Sequence, residues 1–305
     1  MYYPIIKAKR HELKAASQLS SVIGSNKFRP VIEPVNLGLA PLAKTIDALS
    51  SASIIPIVVI NPTQGDYSSS PAIDVYFQLQ NNKSSANKFL PCIKVKNSYD
   101  LASLQLLDKH PTAAVYFESN ISASSIAKIS ESQLVLANPQ KNEAEILSKI
   151  KSLVLYTDSF AKKKRNADYD DVSFYSNLHA TYKQVSNAIG FGDFTIMGEE
   201  YSGSGGPAYV VAIHVSHIEK NNSNAMYVRH FCSTSDSLIT ANTPGKYLEA
   251  LKDLVAFDKS NPGVLDRTIG LKEFYSSYEQ SHFPGLGLVK EMSIKHHIQT
   301  TCNLC

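Results

Sequence analysis

The residues best suited to chemistry recur at one kind of position, the polar residue that ends an apolar, β-branched run. Lys7 and Lys9 fall in the run Pro4–Lys9, Glu33 in Pro30–Val35, Asn61 in Ile54–Asn61, and Lys94 and Lys96 in Leu90–Lys96. Glu118, Asn138, Asp158 and Glu199 close the runs Ala113–Glu118, Gln133–Asn138, Leu153–Asp158 and Asp193–Glu199. Carboxylates and amines gathered round one cavity shift each other's proton affinities toward acid–base work. A run that meets solvent at its end explains any one of these residues slightly better; a shared site explains the set better. Lys7, Lys9, Glu33, Glu118, Asp158 and Glu199 are therefore the candidate catalytic residues. Glu33 is the sharpest case, a lone carboxylate within Pro30-Val31-Ile32-Glu33-Pro34-Val35. Once buried it must be paired or protonated, and Lys7 or Lys9 is the natural partner, in a catalytic pair or a structural salt bridge.

Other motifs are weaker. In Gly198-Glu199-Glu200-Tyr201-Ser202-Gly203-Ser204-Gly205-Gly206, the backbone at Gly203, Gly205 and Gly206 could cradle a phosphate, as barrels do beside their last strands. No Gly-Lys-Ser/Thr follows, a plain hairpin loop uses glycine equally, and Glu199 and Glu200 would repel a bare anion. The basic run Lys162-Lys163-Lys164-Arg165 could contact nucleic acid, but Asp168, Asp170 and Asp171 follow at once, so a solvated face is the better reading. His214 and His217 are three apart on a candidate strand and point to opposite faces, whereas His230 on a partner strand could approach His214. A metal set of His214, His230 and His296 or His297 is conceivable, yet without HExxH spacing no metal site is assigned, and no cofactor is named. Without a Gly-x-Ser-x-Gly elbow or a Cys–His pair, serine and cysteine nucleophiles are disfavoured. Cys302-Asn303-Leu304-Cys305 has CxxC spacing but no second pair, and reads as a frayed, unliganded tail.

The runs that would position these residues are near-continuous hydrophobic segments, as in parallel strands covered on both faces. Helical stripes lie between them: Leu13, Ala16, Leu19 and Ile23; Leu42, Ile46 and Leu49; Leu101, Leu104 and Leu107; Ile146, Leu147 and Ile150. Asn97, Asp100 and Asn142 are candidate helix starts. Eight strands alternating with helices predict an α/β fold, a (β/α)8 TIM-type barrel, over an open doubly wound sheet, since no GxGxxG follows an early strand. After residue 200 the pattern changes to a β-hairpin, Tyr209–His217 with Met226–Cys232, and helices over Gly245–Phe257 and Leu271–Glu279. These read as a C-terminal elaboration of one 305-residue domain, with the barrel over about 1–200. Hydrophobic residues at 43% and charged residues at 19% exclude wholesale disorder. Thirty basic against 27 acidic residues, net +3, give no argument for a nucleic-acid binder. No signal peptide or 20-residue apolar span is visible, so a cytoplasmic protein without membrane contact is expected.

Several stretches, taken together, resemble the phage-type "Beta protein" family and its bacterial relatives. They are Tyr3-Pro4-Ile5-Ile6-Lys7-Ala8-Lys9-Arg10-His11-Glu12-Leu13, Pro30-Val31-Ile32-Glu33-Pro34, Arg165-Asn166-Ala167-Asp168-Tyr169 and Gly192-Asp193-Phe194-Thr195-Ile196-Met197-Gly198-Glu199. Ala212-Ile213-His214, Pro284-Gly285-Leu286-Gly287 and Ser293-Ile294-Lys295-His296-His297-Ile298 complete the set. The resemblance implies a component of a two-gene phage-defence or toxin–antitoxin-like module that binds or regulates a small nuclease-like protein encoded nearby. It marks Lys7, Lys9, Glu33, Asp168, Asp193, Glu199, His214 and His296 as motif positions without roles. The alternative, drawn from the strand ends, is a barrel enzyme acting on a phosphorylated or nucleotide-like small molecule.

Overall fold

The computed structural model describes residues 1–69, 75–203, 208–235 and 238–305. They form two compact units, 1–158 with 181–194 and Cys305, and 159–180 with 195–304. Residues 159–180, which precede the expected boundary near 200, belong to the second unit.

The first unit is a closed, all-parallel eight-stranded barrel. Its first seven strands are β1 (Tyr2–Lys7), β2 (Val31–Glu33), β3 (Ile57–Val59), β4 (Leu90–Val95), β5 (Ala114–Phe117), β6 (Val135–Ala137) and β7 (Leu153–Thr157). Between them run α1 (Arg10–Leu19), α2 (Ala40–Ser51), α3 (Val75–Gln80), α4 (Leu101–Lys109), α5 (Ala123–Lys128) and α6 (Ala144–Leu147). Helix α1 buries Leu13, Ala15, Ala16 and Leu19 on one face. Helix α4 starts at Asp100, whose carboxylate accepts from the Ser103 N–H. Asn142 is not a cap: its side chain accepts from Ile121 N–H and donates to the Asn138 carbonyl, tying two loops together.

The eighth barrel strand is not Asp193–Glu199. β8 (Val172–Ser176) lies in the second unit, and β9 (Ala188–Asp193) closes the barrel between β7 and β1. Glycines hide β9 in the sequence, and packing requires them. A Cβ at Gly190 would stand 2.4 Å from the Tyr3 ring, and one at Gly192 would stand 2.3 Å from the Tyr3 carbonyl oxygen. The segment 194–200 is a turn, with Thr195 and Gly198 at positive φ.

In the second unit β8, β10 (Ala212–Glu219) and β11 (Ala225–Cys232) form an antiparallel sheet in the order β10-β11-β8. The hairpin falls where the sequence places it. After the short α7 (Leu178–Thr181) come α8 (Thr243–Ser260), α9 (Ile269–Glu279) and α10 (Leu286–Asn303). Ile213 and Val215 pack with Tyr247, Leu251, Leu254, Phe274 and Met292 of these helices in a second core. α10 runs on through Cys302, which is buried, so the CxxC is not a frayed tail. No helix among the described residues is long and apolar enough to cross a membrane.

Candidate functional site

Strand alternation explains how the barrel collects its polar residues. The interior is filled by Tyr3 and Ile5, Val31, Ile57 and Val59, Leu90 and Cys92, Ala114 and Tyr116, Leu134 and Leu136, Val154 and Tyr156, with Phe194. Side chains two apart share a face. The next inward positions at the C-terminal ends are therefore Lys7, Glu33, Asn61, Lys94, Glu118, Asn138 and Asp158. Barrel chemistry is sited at that end.

Four of these residues form one chain of ion pairs. Lys7 Nζ lies 2.6 Å from Glu33 Oε2, Lys94 Nζ 3.0 Å from Glu33 Oε1, and Lys94 Nζ 2.9 Å from Glu118 Oε1. Lys7 and Glu33 are register partners on adjacent strands. Beneath them Lys7 lies 5.9 Å from the Phe194 ring centre and Lys94 5.6 Å from that of Tyr116. Burial works to raise the Glu33 carboxyl, but the Lys94 and Lys7 ammonium groups outweigh it and hold it below its ordinary value. Burial works to lower Lys94, and Glu33 and Glu118 together push it above its ordinary value. Both are therefore charged at neutral pH. Lys94 is no nucleophilic amine here and Glu33 no proton donor; their work is electrostatic.

Backbone anchors fix the chain. Asn61 donates to the Lys94 carbonyl and accepts from the Lys94 N–H, each at 2.8 Å, continuing the ladder past the end of β3. The buried Glu12 carboxylate accepts from the Lys7 N–H at 2.8 Å. Asn138 turns back on its own loop, accepting from the Gln140 N–H. Tyr2 donates to Asp193 at 2.6 Å on β9. Glu33 is fully buried, whereas the Glu118 side chain is 28% exposed, so the chain of ion pairs runs from interior to rim. Just past β1 and β2 lies a cleft of about 460 Å³ lined by Arg10, Asn36 and Lys44 among apolar residues, with no carboxylate in its lining.

Of the sequence candidates, Lys7, Glu33 and Glu118 come together in the described ion pairs. Lys94 was visible only as a strand end, although its spacing from Leu90 and Cys92 carried the signal. Lys9 is half-buried after β1 and Asp158 is exposed at the inward position after β7. Glu199 belongs to the second unit and ends no strand, because β9 stops at Asp193. Gly203 sits at a bend and is exposed, and Gly205 and Gly206 lie outside the described residues. In the basic run, Lys162 pairs with Glu200 at 3.2 Å and Arg165 with Asp168 at 2.6 Å, which weakens its case as a nucleic-acid contact.

The histidines divide. His214 and His230 face each other across β10 and β11, Nδ1 to Nδ1 at 2.7 Å. His296 bonds Thr268 and the Ser216 carbonyl, and His297 bonds the Ser216 hydroxyl, so the conceived three-histidine metal set is not assembled. Among the described residues no group of three or more His, Cys, Asp or Glu could hold a metal ion.

The fold and this end of it define a closed (β/α)8-type barrel with a polar layer at its C-terminal end. Comparisons with protein-family models, curated proteins and solved structures find no match for the chain.

Proposed function

We infer that the C-terminal end of the barrel binds a phosphorylated or nucleotide-like small molecule, and that the protein is an enzyme acting on it. The observation that carries this reading is the Lys94–Glu118 pair: a buried cation whose outer partner is partly exposed. A ligand anion that takes the place of Glu118 on Lys94 keeps the cation paired, so exchange avoids leaving a buried charge bare. Glu33 holds Lys94 and Lys7 in place throughout. Once displaced, Glu118 is a carboxylate beside the bound anion, where a general base is needed. Arg10 and Lys44 in the neighbouring cleft add positive charge without a competing acid in the lining.

The test is calorimetric titration of phosphate, pyrophosphate and nucleoside phosphates into the full chain. Glu118→Gln removes the internal competitor and should tighten binding several-fold; Arg10→Ala with Lys44→Ala should weaken it. No heat from the wild type or from Glu118→Gln at millimolar ligand would dismiss the reading.

A second reading follows the family resemblance: the protein binds or regulates a small nuclease-like partner in a phage-defence or toxin–antitoxin-like module. It is supported by Val172 and Phe174, exposed on the edge strand β8 and aligned with Arg229 and Tyr227 of β11. A stable complex buries at least about 1,200 Å². Co-expression with the neighbouring gene product should give co-elution that Val172→Asp with Phe174→Asp abolishes; separate elution of the wild-type pair at micromolar concentration would remove the idea.

A further inference from the structure

The second unit holds a nucleophile, a base and an orienting group in line across its three strands. Ser173 on β8 places Oγ 2.8 Å from Nε2 of His230 on β11. His230 in turn places Nδ1 2.7 Å from Nδ1 of His214 on β10. The register fixes this alignment: His214 is opposite His230, and Ser173 is opposite Val228, two residues along the same face of β11. Aromatic rings hold the imidazoles. Tyr169 stacks on His230 at 4.5 Å, 19° from parallel, and Phe160 meets His214 edge-on at 5.3 Å. Tyr169 is itself fixed, its hydroxyl accepting from the Lys163 N–H at 3.2 Å.

The geometry points to a serine acyl-transfer site, with Ser173 as nucleophile, His230 as general base and His214 as positioning residue, acting on a carboxylic ester. If the Nδ1–H of His230 donates to His214, Nε2 is left as the acceptor of the Ser173 hydroxyl proton. That is the tautomer a base requires, and it leaves both rings neutral. Burial, then His230 and Lys290, push His214 down to about 3; burial pushes His230 down to about 4, with Asp170 raising and Lys163 lowering it further. Both imidazoles are therefore neutral at pH 7. In the step, the Ser173 proton passes to His230 Nε2 as the Oγ–acyl bond forms and the ester C–O bond breaks. The departing alkoxide takes that proton back, and water repeats the sequence to release the acid.

A donor for the developing oxyanion is also present. The His230 N–H bonds the Asp171 carbonyl, so by antiparallel alternation the N–H of Phe174, the residue after the nucleophile, turns away from β11 toward the sheet's outer edge. Ser173 is half-buried, and the exposed Lys163 and Lys164 on the loop carrying Tyr169 are offset by exposed Asp170 and Asp171, so the charge there selects no particular leaving group. This site is independent of the barrel end and lies wholly in the second unit.

The full chain is treated with a fluorophosphonate probe, whose fluoride is displaced by an activated serine, and the modified residue is read by mass spectrometry on the wild type. Modification at Ser173 is expected. His230→Gln should slow it by at least about 100-fold, the usual contribution of a general base. His214→Phe, which has no acceptor, should slow it about 10-fold, with recovery in His214→Asn, whose side-chain oxygen can still accept from His230. Between pH 6 and 8 the wild-type rate should be flat, unlike that of an ordinary histidine base, which titrates near 6.5. Wild-type protein that stays unmodified at Ser173, or a His230→Gln variant modified at the wild-type rate, would overturn the assignment.

Discussion

The two units each thread one hydrogen-bonded polar chain through adjacent strands, but with opposite electrostatics. At the barrel end Lys7, Glu33, Lys94 and Glu118 alternate in sign and are joined by ion pairs. On the antiparallel sheet Ser173, His230 and His214 are joined by bonds between neutral groups. A charged chain tolerates burial only while every member has its partner, whereas a neutral chain tolerates burial only while no member gains a proton. The first is therefore vulnerable to substitution and the second to acid.

Removing the middle of the charged chain gives the largest effect. Glu33 is the shared partner of both lysines, so Glu33→Ala takes the carboxylate from buried Lys7 and leaves buried Lys94 with only the partly exposed Glu118. Breaking a buried pair by deleting one partner costs about 3–5 kcal/mol. Urea denaturation monitored on the barrel should show a loss of that size, and a loss below about 1 kcal/mol would mean that the lysines find other partners.

Acid sharpens the contrast from the other side. His214, His230 and His296 have folded values pushed to about 3, 4 and 4 by burial foremost. Unfolded, each titrates near 6.5, so below that pH the unfolded chain binds more protons and stability falls as pH falls. Each histidine contributes up to about 1.4 kcal/mol per pH unit between its unfolded and folded values. Glu33 is also depressed, but its contribution is full above the ordinary carboxylate value and fades only beneath it. Hydrogen exchange from pH 7.5 to 5.5 should accelerate intrinsically corrected opening of β10 and β11 while β1, β2 and β4 hold. Equal loosening of both sets would erase the distinction.

The barrel was legible in the sequence because parallel strands buried on both faces leave long apolar runs. Six of its strands fall within the expected runs and β1 overlaps its own, and the polar residues at their ends could be aligned by alternation alone. β9 was not legible. Its inward positions, Gly190 and Gly192, carry no side chain because Tyr3 occupies that space, so neither hydrophobicity nor alternation marks the strand. Gly192→Ala should accordingly cost about 1–3 kcal/mol, typical of overpacking, in thermal denaturation; a neutral result would mean that β1 can shift aside. Ser173 was illegible for a different reason. No local motif surrounds it, and only the register of β8 against β11 brings it to His230.

The smallest expected change concerns Glu118, the point at which the charged chain meets the rim. With 28% of its side chain exposed, Glu118 is solvated on one side, and Lys94 retains Glu33 when Glu118 is lost. Glu118→Gln should therefore alter stability by no more than about 1 kcal/mol, the range of partly exposed pairs. The two carboxylates of one chain would then differ several-fold in cost, Glu33 structural and Glu118 replaceable. That asymmetry is what anion exchange on Lys94 requires. A Glu118→Gln variant as unstable as Glu33→Ala would show instead that all four charges act as one structural unit, leaving no partner to give up to a ligand.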